Sequence, residues 1–171
     1  MQSLNLGKLL KINFILAFLF TASMAFSQAS SDYTAENEGW LVNLEEAYQE
    51  SKDTGKPIMA NFTGSDWCGW CKRLTKSVFI HDEFKDWAKD NVVLLELDFP
   101  RRKQLPQEIK AQNANLQQAF GVRGYPTIWV FDLDKNDSGE FAISALGKTG
   151  YTKTVEEFTS DVEKMIANRA K

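Results

Sequence analysis

Apolar positions divide the chain into short solid runs and longer stretches with a helical rhythm. In "WLVNLEEAYQESKDTGK" (40–56), Trp40, Leu41, Leu44, Ala47 and Tyr48 recur at helical spacing. Asn43 suits the N-cap, and Gly55 with Pro57 closes that helix. "PIMANF" (Pro57–Phe62) is a short apolar run behind a breaker and predicts a buried strand. "TGSDW" is turn chemistry, after which Cys71, Leu74, Val78 and Phe79 return at helical intervals. "HDEFKDWAKDN" predicts a further helix with Phe84, Trp87 and Ala88 on one face. "VVLLELDF" (Val92–Phe99) is the clearest strand, and "PRRKQLPQ" is a loop. "EIKAQNANLQQAFGV" predicts a helix ending at Gly121. "YPTIWVFDL" (Tyr125–Leu133) predicts a strand opened by a proline, with Trp129 and Phe131 in the core. "DKNDSGE" is a hairpin turn and "FAISALG" the returning strand. "TKTVEEFTSDVEKMIANRAK" closes the chain as an amphipathic helix with Val155, Phe158, Val162 and Ile166 inward.

Strands alternating with helices imply an α/β sheet covered on both faces. No internal repeat or low-complexity tract interrupts the pattern, so one domain is expected over 40–171. The start of the chain has a different character. "MQSLNLGKLLK" carries Lys8 and Lys11 and no acid, and an apolar run follows from Ile12 to Phe26. Small residues at cleavage spacing come next, the order of a secretory signal over 1–27. The run of about 15 residues is short for a bilayer span of about 20; retention of the leader as a membrane anchor is the alternative. Residues 28–39 are polar and read as a flexible lead-in. A periplasmic or secreted location follows from the leader.

Composition is that of a folded protein, with 43% apolar and 25% charged residues. The formal charge is −3, and loss of Lys8 and Lys11 with the leader takes it to −5. No basic stripe stands out beyond "PRRK" (Pro100–Lys103), which reads as a solvated loop, so nucleic acid is not an expected partner.

The chemistry is concentrated in "GSDWCGWCKRL" (64–74), which holds both cysteines of the chain. Cys68 and Cys71 are open to three uses: a redox centre, half of a metal site, or a structural staple. Outside the cytoplasm disulfides persist, but closing so short a loop removes little entropy from the unfolded chain, so the pair is a weak staple. A closed zinc site wants four ligands. The chain offers these two thiols and the single histidine, His81, which reads as a loop residue before a helix. No metal site and no bound cofactor are therefore expected. At the mouth of a helix, unpaired backbone N–H groups stabilise a thiolate and lower a cysteine pKa. Cys68 there suits the nucleophile, and Cys71, about one turn further in, the resolving thiol. Lys72 and Arg73 add positive charge nearby.

"DWCGWCK" behind a buried strand, together with "GYPT" opening a later one, resembles the thioredoxin superfamily. The likeness covers nearly all of the chain after the leader and is greatest to exported bacterial members, including the C-terminal domain of transmembrane thiol:disulfide interchange reductases. It implies a thioredoxin fold, a central mixed sheet flanked by helices. It also implies residue roles. Trp67 flanks the nucleophile and shapes the docking surface, and Gly69 and Trp70 between the cysteines tune the potential. Tyr125 and Pro126 match the segment whose proline is cis and faces the disulfide, leaving the Tyr125 backbone free to pair with an extended substrate. Trp67, Gly69, Trp70, Tyr125 and Pro126 are thus the expected substrate-binding residues, and Cys68 and Cys71 the catalytic redox disulfide.

Three departures qualify the likeness. Asn61 best matches the position where thioredoxins carry a buried Asp that assists proton transfer to the inner cysteine, and an amide cannot take that proton. Gly69–Trp70 replaces the Gly-Pro of thioredoxin, so the potential does not carry over. The Pro100–Gln118 link is longer than in a minimal thioredoxin. The resemblance implies a reductase acting on protein disulfides as a monomer, recharged by a membrane or soluble dithiol donor. The rival reading is a binding module of the same fold, with a static disulfide and an aromatic face that holds a partner.

Overall fold

The computed structural model describes residues 33–169. The leader over 1–27 and the first part of the lead-in lie outside the described residues, as do 170 and 171. Helix α1 (Leu44–Thr54) starts where its cap allows. Asn43 Oδ1 accepts from the N–H groups of Glu45 and Glu46 at 2.8 and 3.2 Å. It stops at Gly55, whose φ of 72° is open to a residue without Cβ. Trp40 and Leu41 precede this helix rather than belonging to it. Leu41 exchanges backbone hydrogen bonds with Leu94 and Glu96, and Trp40 is buried against Phe79 and Phe84.

Strand β1 (Ile58–Thr63) is buried throughout and occupies the sheet interior. Helix α2 (Gly69–Leu74) follows the turn and runs into a π-helical turn at 75–79, then α3 (Asp82–Asn91) leads to β2 (Val93–Asp98). Helix α4 (Gln107–Ala119) and strands β3 (Thr127–Lys135) and β4 (Phe141–Thr149) come next, and α5 (Val155–Ile166) ends the fold. The four strands lie in the order β2-β1-β3-β4. β1 pairs parallel with β2 and antiparallel with β3, and β3 pairs antiparallel with β4, giving the mixed sheet expected.

Period-two alternation splits the core in two. Ile58, Ala60, Phe62, Leu95, Leu97, Phe131 and Leu133 join Leu44 and Ala47 on one face. Met59, Ile128 and Val130 meet Leu74, Val78, Phe79, Phe84 and the α5 side chains Phe158 and Val162 on the other. Asn61 and Thr63 of β1, and Glu96 and Asp98 of β2, alternate onto this second face, where α2 lies. All four are buried polar residues.

Three further expectations need correction. The sheet is not covered to its edge: Phe141–Ala145 of β4 is exposed, because α5 packs over the sheet without reaching that end of the hairpin. In α5 the fourth buried residue is Met165 instead of Ile166, which is only partly buried. The sheet makes room for it with Gly147, where an added Cβ would lie 2.6 Å from Met165 Cγ. Trp129 is partly buried, packed on the core edge beside Phe120, and Lys148 Nζ lies 5.4 Å from its ring centre. Among the described residues no helix is long and apolar enough to cross a membrane.

Candidate active site

Cys68 occupies the N-cap of α2 and Cys71 its first turn, which brings their Cα atoms to 5.3 Å and lets the sulfurs bond. The Cys71 backbone N–H points at Cys68 Sγ, 3.1 Å away. Both cysteines are buried, and the surface beside them is made by Trp70, which is 53% exposed. Arg73 stacks on the Trp70 indole at 4.5 Å, and Tyr151 meets its edge at 5.0 Å between ring centres. Gly69 is exposed, with open space where a Cβ would stand.

The loop before Cys68 is tied to the end of β2. Asp98 accepts from the Ser65 backbone N–H at 2.8 Å and from its hydroxyl at 2.6 Å. Trp67 Nε1–H donates to the Phe99 carbonyl at 2.8 Å. Asp66 reaches the other way: its carboxylate accepts the backbone N–H groups of Arg101, Arg102 and Lys103. Those hydrogen bonds, Arg101's first, hold the Asp66 carboxyl below its usual pKa against a partial loss of solvation. The anchored loop lays the Arg101 guanidinium 3.8 Å above the Trp67 ring.

Tyr125 closes the other side of Trp67, with ring centres 5.8 Å apart in an edge contact. Its own ring stacks on Phe99, and Gln117 Nε2 donates to its hydroxyl. Burial, more than any other cause, raises the Tyr125 phenol above its ordinary pKa. The Tyr125–Pro126 peptide bond is cis. The fold thus brings Trp67 and Tyr125 into contact although more than 50 residues separate them, and pairs Trp70 with the likewise distant Tyr151. Lys72 Nζ bonds the Asp66 carbonyl. His81 stands at the N-cap of α3 without a side-chain capping bond.

The family model for a thioredoxin-like domain matches residues 44–163. The chain belongs to the thioredoxin-like family. Among its thioredoxin-like relatives, the disulfide bond reductase DsbH of Chlamydia pneumoniae is 30% identical over 75% of this chain and 77% of its own length. The thiol:disulfide interchange protein DsbD of Colwellia psychrerythraea is 28% identical over 74% of this chain, which spans only 18% of that protein. A solved structure of a DsbH oxidoreductase superposes with a TM-score of 0.64 at 29% identity, covering 79% of this chain and 88% of that one. The architecture is the thioredoxin fold, and the chain is a member of a family of thiol–disulfide oxidoreductases.

Several groups that build this thioredoxin-like site escaped the sequence reading: Asp66, Glu96, Asp98, Arg101 and Tyr151. For Glu96 and Asp98 a signal existed. The alternation of "VLLELD" sets both on the strand face opposite Leu95 and Leu97, and two acids on a buried strand face call for a reason. For Asp66, Arg101 and Tyr151 no local pattern carries the information, because their partners come from distant segments.

Proposed function

We propose that the chain is an exported protein-disulfide reductase in which Cys68 attacks and Cys71 resolves. The observation that carries this is the Cys68–Cys71 disulfide at the start of α2, with the Cys71 N–H aimed at Cys68 Sγ. A thiolate on Cys68 gains that N–H as a charge-assisted partner, which lowers its pKa. The reduced pair acts in two displacements. Cys68 thiolate attacks one sulfur of the substrate disulfide, and the other substrate sulfur leaves as a thiolate. Cys71 thiolate then attacks Cys68 Sγ and releases the first substrate sulfur. The substrate gains two electrons and two protons, and the protein is left as the disulfide. A second dithiol protein, membrane-bound or soluble, returns the electrons, so no bound cofactor is needed.

The substrate lies across Trp67, Gly69, Trp70, Tyr125 and Pro126. Arg101 stacks on the Trp67 indole and Arg73 on that of Trp70, and packing of this kind limits the ordering cost of docking. The reductive direction is supported by the name of the DsbH relative, and export by the leader pattern over 1–27. The equilibrium reduction potential of the pair against a dithiothreitol buffer tests the reading. A value closer to about −270 mV than to about −120 mV is expected of a reductase. A value nearer −120 mV makes the protein an oxidase, and a pair still oxidised well below about −300 mV makes it a static binding module.

A further inference from the structure

The second displacement requires Cys71 to lose a proton in a place that water does not freely reach. Cys71 is 4% exposed, and an unassisted buried thiol resists ionisation. Behind it lies a cavity of about 290 Å³ that reaches from Cys71 to Glu96 of β2, with Glu36, Asn37, Lys72 and Lys76 on its walls. That volume holds several waters, each taking about 30 Å³. One cavity is thus shared by Cys71 and by Glu96, which is itself 1% exposed.

We propose that Glu96 accepts the Cys71 proton through water in this cavity; the proposal rests on the two-thiol reading above. The lead-in holds the acid in place. Glu36 N–H donates to Oε1 and Asn37 Nδ2 to Oε2, both at 2.8 Å, so each oxygen keeps an acceptor position free. Glu36, the other acid on the wall, is engaged by Lys103. Burial raises Glu96 to about 7, Asn37 pulls it down and Asp98 pushes it up. The charged and titratable groups facing it are Tyr33 and Glu36 of the lead-in, Lys72 of α2, Lys76 of the π-helical turn and Asp98 of its own strand. An acid that ionises near neutral pH takes and returns a proton at little cost.

The neighbouring strand supplies a second observation. Asn61 is the register partner of Glu96, and its Oδ1 is buried without a hydrogen-bond donor. Both side chains alternate onto the same sheet face. Protonation turns Glu96 from an acceptor into a donor, the complement that this amide oxygen lacks. The step balances. The Cys71 S–H bond breaks, the proton passes to Glu96, and the thiolate electron pair forms the Cys68–Cys71 bond. The electrons of the Cys68–substrate bond leave on the substrate sulfur, and Glu96 returns its proton to solvent through the cavity mouth.

The test follows the two displacements separately across pH 5–9 in stopped flow, with a disulfide-bridged peptide as substrate and the fully reduced protein. Attack is read in Cys71→Ser, which halts at the mixed disulfide; resolution is read as peptide release with both cysteines present. Glu96→Gln is expected to slow resolution at least tenfold at pH 7 and to erase its rise through neutral pH, with attack changed less than twofold. Glu96→Asp is expected to recover part of the rate. Asn37→Ala keeps the acid but removes a hydrogen bond to its charged form, so the midpoint of resolution moves to higher pH; this variant decides the matter if Glu96→Gln does not fold. An unchanged profile in Glu96→Gln or Asn37→Ala overturns the proposal, as does an equal loss of attack and resolution. Failure of Cys71→Ser to form any mixed disulfide would instead sink the two-thiol reading itself.

Discussion

Substituting Gly64 by Ala tests how the motif loop holds Trp67. The φ of Gly64 lies outside the left-handed region, so the demand for glycine is one of space. An added Cβ would stand 2.6, 2.7 and 2.9 Å from Trp67 Cε2, Nε1 and Cζ2. Ordinary carbon contacts lie at about 3.5–4.0 Å, so the indole must retreat by about 1 Å. It cannot do so freely: Nε1–H is bonded to the Phe99 carbonyl at 2.8 Å, Arg101 covers one face at 3.8 Å, and Tyr125 stands at its edge. Overpacking of this kind costs about 1–3 kcal/mol, and loss of the Phe99 hydrogen bond adds about 1 kcal/mol. The expected destabilisation is about 2–4 kcal/mol. With a urea m-value of about 2 kcal/mol/M, the unfolding midpoint falls by about 1–2 M. The double variant with Trp67→Ala isolates the clash, since the indole atoms that the added methyl would strike are then gone. Gly64→Ala in that background should cost under about 0.5 kcal/mol. An equal cost in both backgrounds, or a negligible one in the parent protein, would refute the reasoning.

Three other outcomes follow from the same contacts. Glu96 is raised from 4.5 to about 7 on folding, so between those values the native state binds more protons than the unfolded chain. Stability therefore falls as pH rises from 4.5 through 7, by at most about 3 kcal/mol; chemical denaturation across that window should show the slope, and Glu96→Gln should flatten it. Asp66→Ala removes the acceptor shared by three backbone N–H groups, so amide exchange at 101–103 accelerates and Trp67 fluorescence shifts as Arg101 leaves its ring, while the melting temperature hardly moves. The same loosening appears in the parent protein only as pH drops below the normal carboxylate range, because the Asp66 carboxyl is held low. Phe158→Ala opens a cavity between Phe79 and Phe84 in a fully buried position, costing about 3–5 kcal/mol in equilibrium unfolding.

What could be read along the chain was whatever depends on near neighbours. The solid run at Pro57–Phe62, the Asn43 cap, the Gly55 stop and the spacing of Val155, Phe158 and Val162 in α5 each reflect contacts within a few residues or burial on one face, and the elements stand within a residue or so of where those signals place them. The Cys68–Cys71 pair was legible for the same reason, since its geometry is closed within one helical turn. Errors arose where the answer came from elsewhere in the fold. Trp40 and Leu41 fit a helix by period but are claimed by β2 and by Phe79. Ile166 yields to Met165 because Gly147, on another strand, leaves the space.

The surroundings of the sulfurs belong wholly to that second kind. Parallel pairing sets Asn61 opposite Glu96, and the lead-in folds back to hold that acid behind Cys71. Asp66 fastens a loop more than 30 residues away, and that loop brings Arg101 to Trp67. By itself, the sequence determined the elements, the sheet class and the closely spaced cysteine pair, because periodicity, caps and the two-residue spacing are local quantities. Only the tertiary structure decided which buried carboxyl shares a cavity with Cys71 and which cation covers the indole, because desolvation and stacking depend on neighbours in space rather than along the chain.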